Sequence, residues 1–213
     1  MKKGITAAFL ALEAVLYICI LTCGGQLLVA TSYASIVACC VFGLAMGNRG
    51  NWFLRLGLLC TVGADFCLVV CDPIQRLWGM VFFLAAQTLY GLQLGGRPWR
   101  WYLRGAVSLV ALAVTALVLK ENTDALALVS VCYYGNLILN LVYAFLNKDR
   151  TLGVAFLLFL LCDTVIGLQV AAGGYLPIGE GTALYRMLFS GFNLAWFFYL
   201  PSQVLLALRT TKE

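Results

Sequence analysis

The 213-residue chain contains no histidine, and none of its nine cysteines forms a C-x-x-C pair. Those two absences remove the usual ligand sets of a zinc site. A disulfide framework is equally poorly supported, because the cysteines fall inside apolar runs, where they read as small packing residues. There is no Gly-rich phosphate loop, so neither metal, nucleotide nor any other cofactor is called for. Charge is scarce as well: 11% of residues are charged and 63% hydrophobic. That leaves too little polar surface to cover a soluble domain. Long polar segments are also missing, which excludes an extramembrane catalytic domain. Nothing points to a nucleic-acid partner, and the net charge of +5 matters less than where its members sit.

What is present is a succession of apolar runs. A helix needs about 20 such residues to cross the hydrocarbon core. By that measure the chain divides into eight spans, approximately 4–22, 27–46, 52–71, 76–94, 101–119, 125–146, 151–171 and 184–208. Turn-forming or charged clusters separate them, among them Gly47-Asn48-Arg49-Gly50-Asn51, Asp72-Pro73, Gly95-Gly96-Arg97-Pro98, Lys120-Glu121-Asn122, Asn147-Lys148-Asp149-Arg150 and the loop from Gly173 to Gly181. The first run lacks a clear small-x-small cleavage site and carries Glu13, so it reads as a retained helix rather than a signal peptide. Placing the N-terminus in the cytoplasm and alternating the loops puts eleven Lys and Arg inside and three (Arg76, Lys120, Arg186) outside. This is a positive-inside bias that a missed or invented span would scramble. The expectation is an all-α polytopic membrane protein forming a single transmembrane domain over residues 1–213. It has eight spans with both termini cytoplasmic, in what reads as a prokaryotic plasma membrane.

An ionisable residue in a span costs about 2.5–3.5 kcal/mol on insertion scales. Glu13, Asp65 and Asp163 therefore each ask for a reason. Asp65 lies 13 residues into the third span and Asp163 12 residues into the seventh, counted from positions 52 and 151. Both spans run the same way, so the two carboxylates share a depth, with no lysine or arginine deep in a span to pair with them. Two facing carboxylates in low dielectric tend to share a proton, and one protonated and one ionised group is what acid–base chemistry needs. Glu13 could line the same cavity or face a lipid-exposed crevice. Polar residues recur at helical spacing around them: Tyr133, Asn136, Asn140, Tyr143 and Asn147 in the sixth span, Gln87 and Tyr90 in the fourth, and Asn193, Tyr199 and Gln203 in the eighth. Pro201 removes a helix hydrogen bond and frees the carbonyl of Phe197. Individually such groups make interhelical hydrogen bonds worth about 0.6 kcal/mol each. Together they suggest a polar cavity walled by the third, fourth, sixth, seventh and eighth helices.

Gly63-Ala64-Asp65, Gly79-x-x-x-Phe83-x-x-x-Gln87-x-x-Tyr90, Phe159-x-x-Cys162-Asp163 and Tyr199-x-x-Ser202-Gln203 stand in an order and spacing that resemble the YhhN-type lysoplasmalogenase family. Gly63-Ala64-Asp65 is similar to its glycine–aspartate step. Gly79, Phe83, Gln87 and Tyr90 follow its G-x-x-x-F-x-x-x-H-x-x-Y helix with glutamine at the histidine position. Phe159-Leu160-Leu161-Cys162-Asp163 looks like its F-x-x-S-D motif, and Tyr199-Leu200-Pro201-Ser202-Gln203 like its closing Y-x-x-A-Q. The family's lysine–proline pair of the second helix is absent, with Thr31-Ser32-Tyr33 nearby. The resemblance covers the chain from about residue 52 onward. It implies an eight-helix membrane hydrolase that cleaves the vinyl ether bond of lysoplasmalogens, with Asp65 and Asp163 as the catalytic pair. Its substrate would be a membrane lysophospholipid, contacted by Gln87, Tyr90, Asn136, Asn140, Tyr143, Asn193, Tyr199, Gln203 and Glu13. Two other readings stay open on the residues alone. Intramembrane acids and a proline-broken helix also fit a small proton-coupled transporter, and an inactive lipid-binding member of the same family fits equally.

Overall fold

The computed structural model describes residues 2–96, 98–120, 123–172, 181–189 and 191–212. Arg97, the turn at Glu121-Asn122 and most of the loop from Gly173 to Gly181 lie outside them. Among the described residues the chain is all-helical. The order is α1 (Lys2–Thr22), α2 (Gly25–Met46), α3 (Trp52–Asp65), α4 (Arg76–Leu94), α5 (Trp99–Leu119), α6 (Ala125–Leu146), α7 (Arg150–Ala172), α8 (Ala183–Leu188) and α9 (Leu194–Arg209). A π-helical turn, Phe66–Val70, prolongs α3 directly after Asp65.

Among the described residues seven helices are long and apolar enough to cross a membrane: α1, α2, α3 with its flanking turns, α4, α5, α6 and α7. The eighth expected span differs. It is not one helix but the six-residue α8 and the 16-residue α9, parted around Gly191 and Asn193, two poor helix formers. Hydropathy over 184–208 passes smoothly across this break because hydropathy does not see backbone preference. Within α9, Pro201 acts as the sequence implied. The carbonyl of Phe197 has no N–H four residues on, and the Tyr17 hydroxyl of α1 donates to it instead at 2.9 Å.

The core pairs are α7 with α9, α3 with α4 and α4 with α6. Close approach between α3 and α4 depends on missing side chains. A Cβ at Gly57 would overlap the ring of Tyr90, and one at Gly79 would meet Leu68 Cγ at 2.5 Å. At the end of the bundle that carries the termini, Asn51 Nδ2 donates to the carbonyls of Thr210 (2.9 Å) and Lys212 (2.5 Å). Arg209 pairs there with Asp149 at 2.7 Å, and Asp149 also accepts from the Leu152 amide in the first turn of α7.

Helix α5 is the outlier. Leu109, Val110, Leu117 and Val118 point outward, each more than 60% exposed, and the one buried residue among those described is an arginine, Arg104. An apolar face of that size is untenable in water and ordinary against lipid tails.

Candidate active site: two aspartates in one cavity

At the end of the bundle opposite the termini lies a cavity of about 650 Å³ that both Asp65 and Asp163 line. Its walls come from α3 and the π-helical turn (Asp65, Leu68), α4 (Arg76, Met80, Phe83), α6 (Tyr133), α7 (Cys162, Asp163) and α9 (Trp196, Tyr199). Most of the lining is apolar, so the carboxylates are isolated polar groups in a greasy pocket.

Each carboxylate has its own phenol from another helix. Tyr199 donates to Asp65 Oδ2 at 2.6 Å, and Tyr133 donates to Asp163 Oδ2. The phenols are themselves fixed by a shared aromatic frame. The ring of Phe159 stands edge-on to Tyr199 at 5.3 Å and lies 6.4 Å from Tyr133. Phe83 contacts the same two rings at 6.3 and 5.7 Å and Phe159 at 5.6 Å. Edge-to-face contacts at such distances are favourable and directional. Four helices thus hold two carboxylates through two tyrosines and two phenylalanines. Asp65 also sits where α3 passes into the π-helical turn, a local rewinding that is rare in helices and frequent at functional sites.

The other residues expected to bind substrate are divided among different places. Gln87, Asn136, Asn140 and Tyr143 surround Arg104 toward the other end. Arg104 donates to Asn136 Oδ1 at 3.0 Å and Asn140 Oδ1 at 2.6 Å, Asn140 Nδ2 donates to Gln87 Oε1 at 2.8 Å, and the guanidinium lies over the Tyr143 ring at 5.2 Å. Gly91 leaves the room, since a Cβ there would come within 2.9 Å of the guanidinium carbon. Tyr90 is fully buried, packed on Gly57 and 5.7 Å from the Phe156 ring. Gln203 is fully buried further along α9. Asn193 immediately precedes α9, its carbonyl accepting the Phe197 amide at 3.0 Å. Glu13 is buried between α1 and α2, accepting from Ser35 Oγ at 2.5 Å and Cys39 Sγ at 3.5 Å. Of the eleven candidates only Asp65, Asp163 and Tyr199 line the cavity.

Sequence reading assigned no site role to Phe83, Phe159, Trp196 or Arg76, although the first two stand inside the family-like motifs. Arg104, one of the eleven Lys and Arg that the alternation of loops puts on the cytoplasmic side, is buried at 5% exposure.

Fold and cavity together describe a class: a polytopic helical membrane protein with an acid pair in an internal, largely apolar pocket. Residues 25–210 match the YhhN family, and the chain belongs to that family. No curated protein and no solved structure matches it.

Proposed function

We propose that this protein is a membrane-embedded hydrolase that cleaves the vinyl ether bond of lysoplasmalogens, with Asp65 and Asp163 as its acid–base pair. The observation that carries the reading is the joint position of the two carboxylates in one apolar cavity, each held by a phenol. Vinyl ether hydrolysis starts with proton transfer to the alkene carbon remote from oxygen, forming an oxocarbenium ion. Water adds to that cation and gives up a proton, and the hemiacetal collapses to a fatty aldehyde and the free glycerol hydroxyl of glycerophospho-ethanolamine or -choline. One aspartic acid supplies the proton; the other, as carboxylate, stabilises the cation and takes the proton from water, a division of labour shared with two-carboxylate glycosidases. Tyr133 and Tyr199 orient the pair. The apolar wall suits a single alkenyl chain entering from the bilayer. In the same reading the chain is one transmembrane domain that crosses eight times, α8 and α9 together forming the last crossing. Both termini are then cytoplasmic, in a prokaryotic plasma membrane.

Purified protein in detergent or nanodiscs should release aldehyde from lysoplasmalogen and none from the matching ester or saturated-ether lysophospholipid. Asp65→Asn and Asp163→Asn should each abolish release while the protein stays folded. Full activity in either variant rules out the dyad. Solute uptake into proteoliposomes without aldehyde release would favour a transporter instead.

A further inference from the structure

The mouth of the cavity carries a single cation. Arg76 opens α4 and is the one lysine or arginine in the cavity lining. Among the described residues the only ion pair is Arg209 with Asp149, so Arg76 faces the cavity without a carboxylate partner. Four residues on, Met80 lines the same wall; seven residues on, Phe83 braces the two tyrosines that hold Asp65 and Asp163. Seven residues of α-helix advance about 10 Å. A phosphate, a three-carbon glycerol and the vinyl ether oxygen in extended form cover a comparable length.

An anion entering a pocket with two carboxylates meets repulsion unless a cation offsets it, and guanidinium is the side chain best matched to phosphate oxygens. We infer that Arg76 binds the phosphodiester of the lipid substrate, fixing the vinyl ether at the level of the two aspartates. Arg76 is therefore a specificity-determining residue that selects phospholipid over neutral ether lipid. This rests on reading the cavity as a lysophospholipid site.

The test compares an alkenyl lysophospholipid with the corresponding 1-alkenylglycerol, which lacks phosphate. Arg76→Gln should raise KM for the phospholipid about tenfold, with kcat little changed, as expected for loss of one exposed charge-assisted contact. It should leave KM for the alkenylglycerol unaltered, and Arg76→Lys should recover most of the loss. Equal changes on both substrates, or none on either, overturn the assignment. A second arm needs no turnover. A brominated 1-O-alkyl lysophosphocholine, which cannot be cleaved, should quench Trp196 of the cavity wall, a signal identified by its loss in Trp196→Phe. The same tenfold weakening in Arg76→Gln, with a brominated alkylglycerol unaffected, supports the phosphate contact even if the wild type releases no aldehyde, in which case only hydrolysis falls. Unchanged quenching in Arg76→Gln overturns the contact. Displacement of the probe by inorganic phosphate at equal concentration would mean that a free anion, not a lipid, is what Arg76 holds, and would also overturn it.

Discussion

The bundle contains two polar regions built from opposite charges. Toward one end Asp65 and Asp163 look into about 650 Å³ of space with one phenol apiece. Toward the other, Arg104 is enclosed by two amide oxygens and laid over the rings of Tyr143 and Trp101 at 5.2 Å. The arginine region is tight at Gly91, where a Cβ would come within 2.9 Å of the guanidinium carbon. A buried guanidinium is costly unless its N–H groups are matched, and here α6 supplies both acceptors while Gly91 of α4 gives the room. The aspartate region matches one oxygen of each carboxylate and turns both acids toward a cavity. The first arrangement spends its hydrogen bonds on packing; the second leaves acidic groups available to something that enters. Mere presence of ionisable residues in apolar helices does not separate the two, whereas the space beside them does.

That contrast predicts a graded series. The largest effect belongs to Asp65→Asn and Asp163→Asn, with aldehyde release falling at least about a thousandfold, more than the 10²–10⁴ typical of one general acid or base requires at its lower end. Thermal unfolding in detergent should change little. Next come the positioning phenols. Tyr199→Phe and Tyr133→Phe each remove a hydrogen bond to a carboxylate, worth about 1.5–3 kcal/mol. Release should drop roughly ten- to a hundredfold, in kcat rather than KM. A loss confined to KM would show that the phenols contact substrate and do not orient the acids.

In the arginine region the readouts should invert. Arg104→Leu leaves one buried and one half-buried amide oxygen unmatched, and the thermal midpoint should fall with a cost of about 2–6 kcal/mol, at one to three per unmatched group. Activity per folded molecule should be preserved. A stable but inactive Arg104→Leu protein would erase the distinction between the regions. Smallest is Glu13→Gln. It keeps an acceptor for Ser35 and lies away from the cavity, so stability should shift by about 1 kcal/mol or less and turnover should not change. Loss of turnover in that variant would tie α1 and α2 to the chemistry.

Some of this was legible from the residues alone, for physical reasons. Asp65 and Asp163 stood out because a carboxylate in an apolar run needs a reason and because two helices of like direction carry it at one depth. Pro201 freeing the Phe197 carbonyl follows from local covalent geometry. Its partner does not: Tyr17 lies 180 residues away, and nothing in either segment points to the other. The polar stripe of α6 was visible as one face, yet the structure splits it. Tyr133 serves the cavity, and Asn136, Asn140 and Tyr143 serve Arg104. Spacing shows that residues share a face, not which neighbour covers each part of it. The motif on α4 dissolves in the same way, with Gly79 against Leu68, Phe83 against the tyrosines, Gln87 with Asn140 and Tyr90 over Gly57. Whether Arg104 reaches for water or turns inward depended on a gap at Gly91, and gaps are written on two helices at once.

The hydroxyl of Tyr17 has a consequence for where the working unit begins. Family similarity starts at residue 25, after α1 has ended. Yet α1 caps the one carbonyl that Pro201 leaves bare, two residues before Tyr199, the phenol on Asp65. In hydrocarbon no water would take the place of that hydroxyl. The helix outside the shared pattern is thus a splint on the helix that carries part of the site. The matched stretch and the mechanical unit differ by one helix.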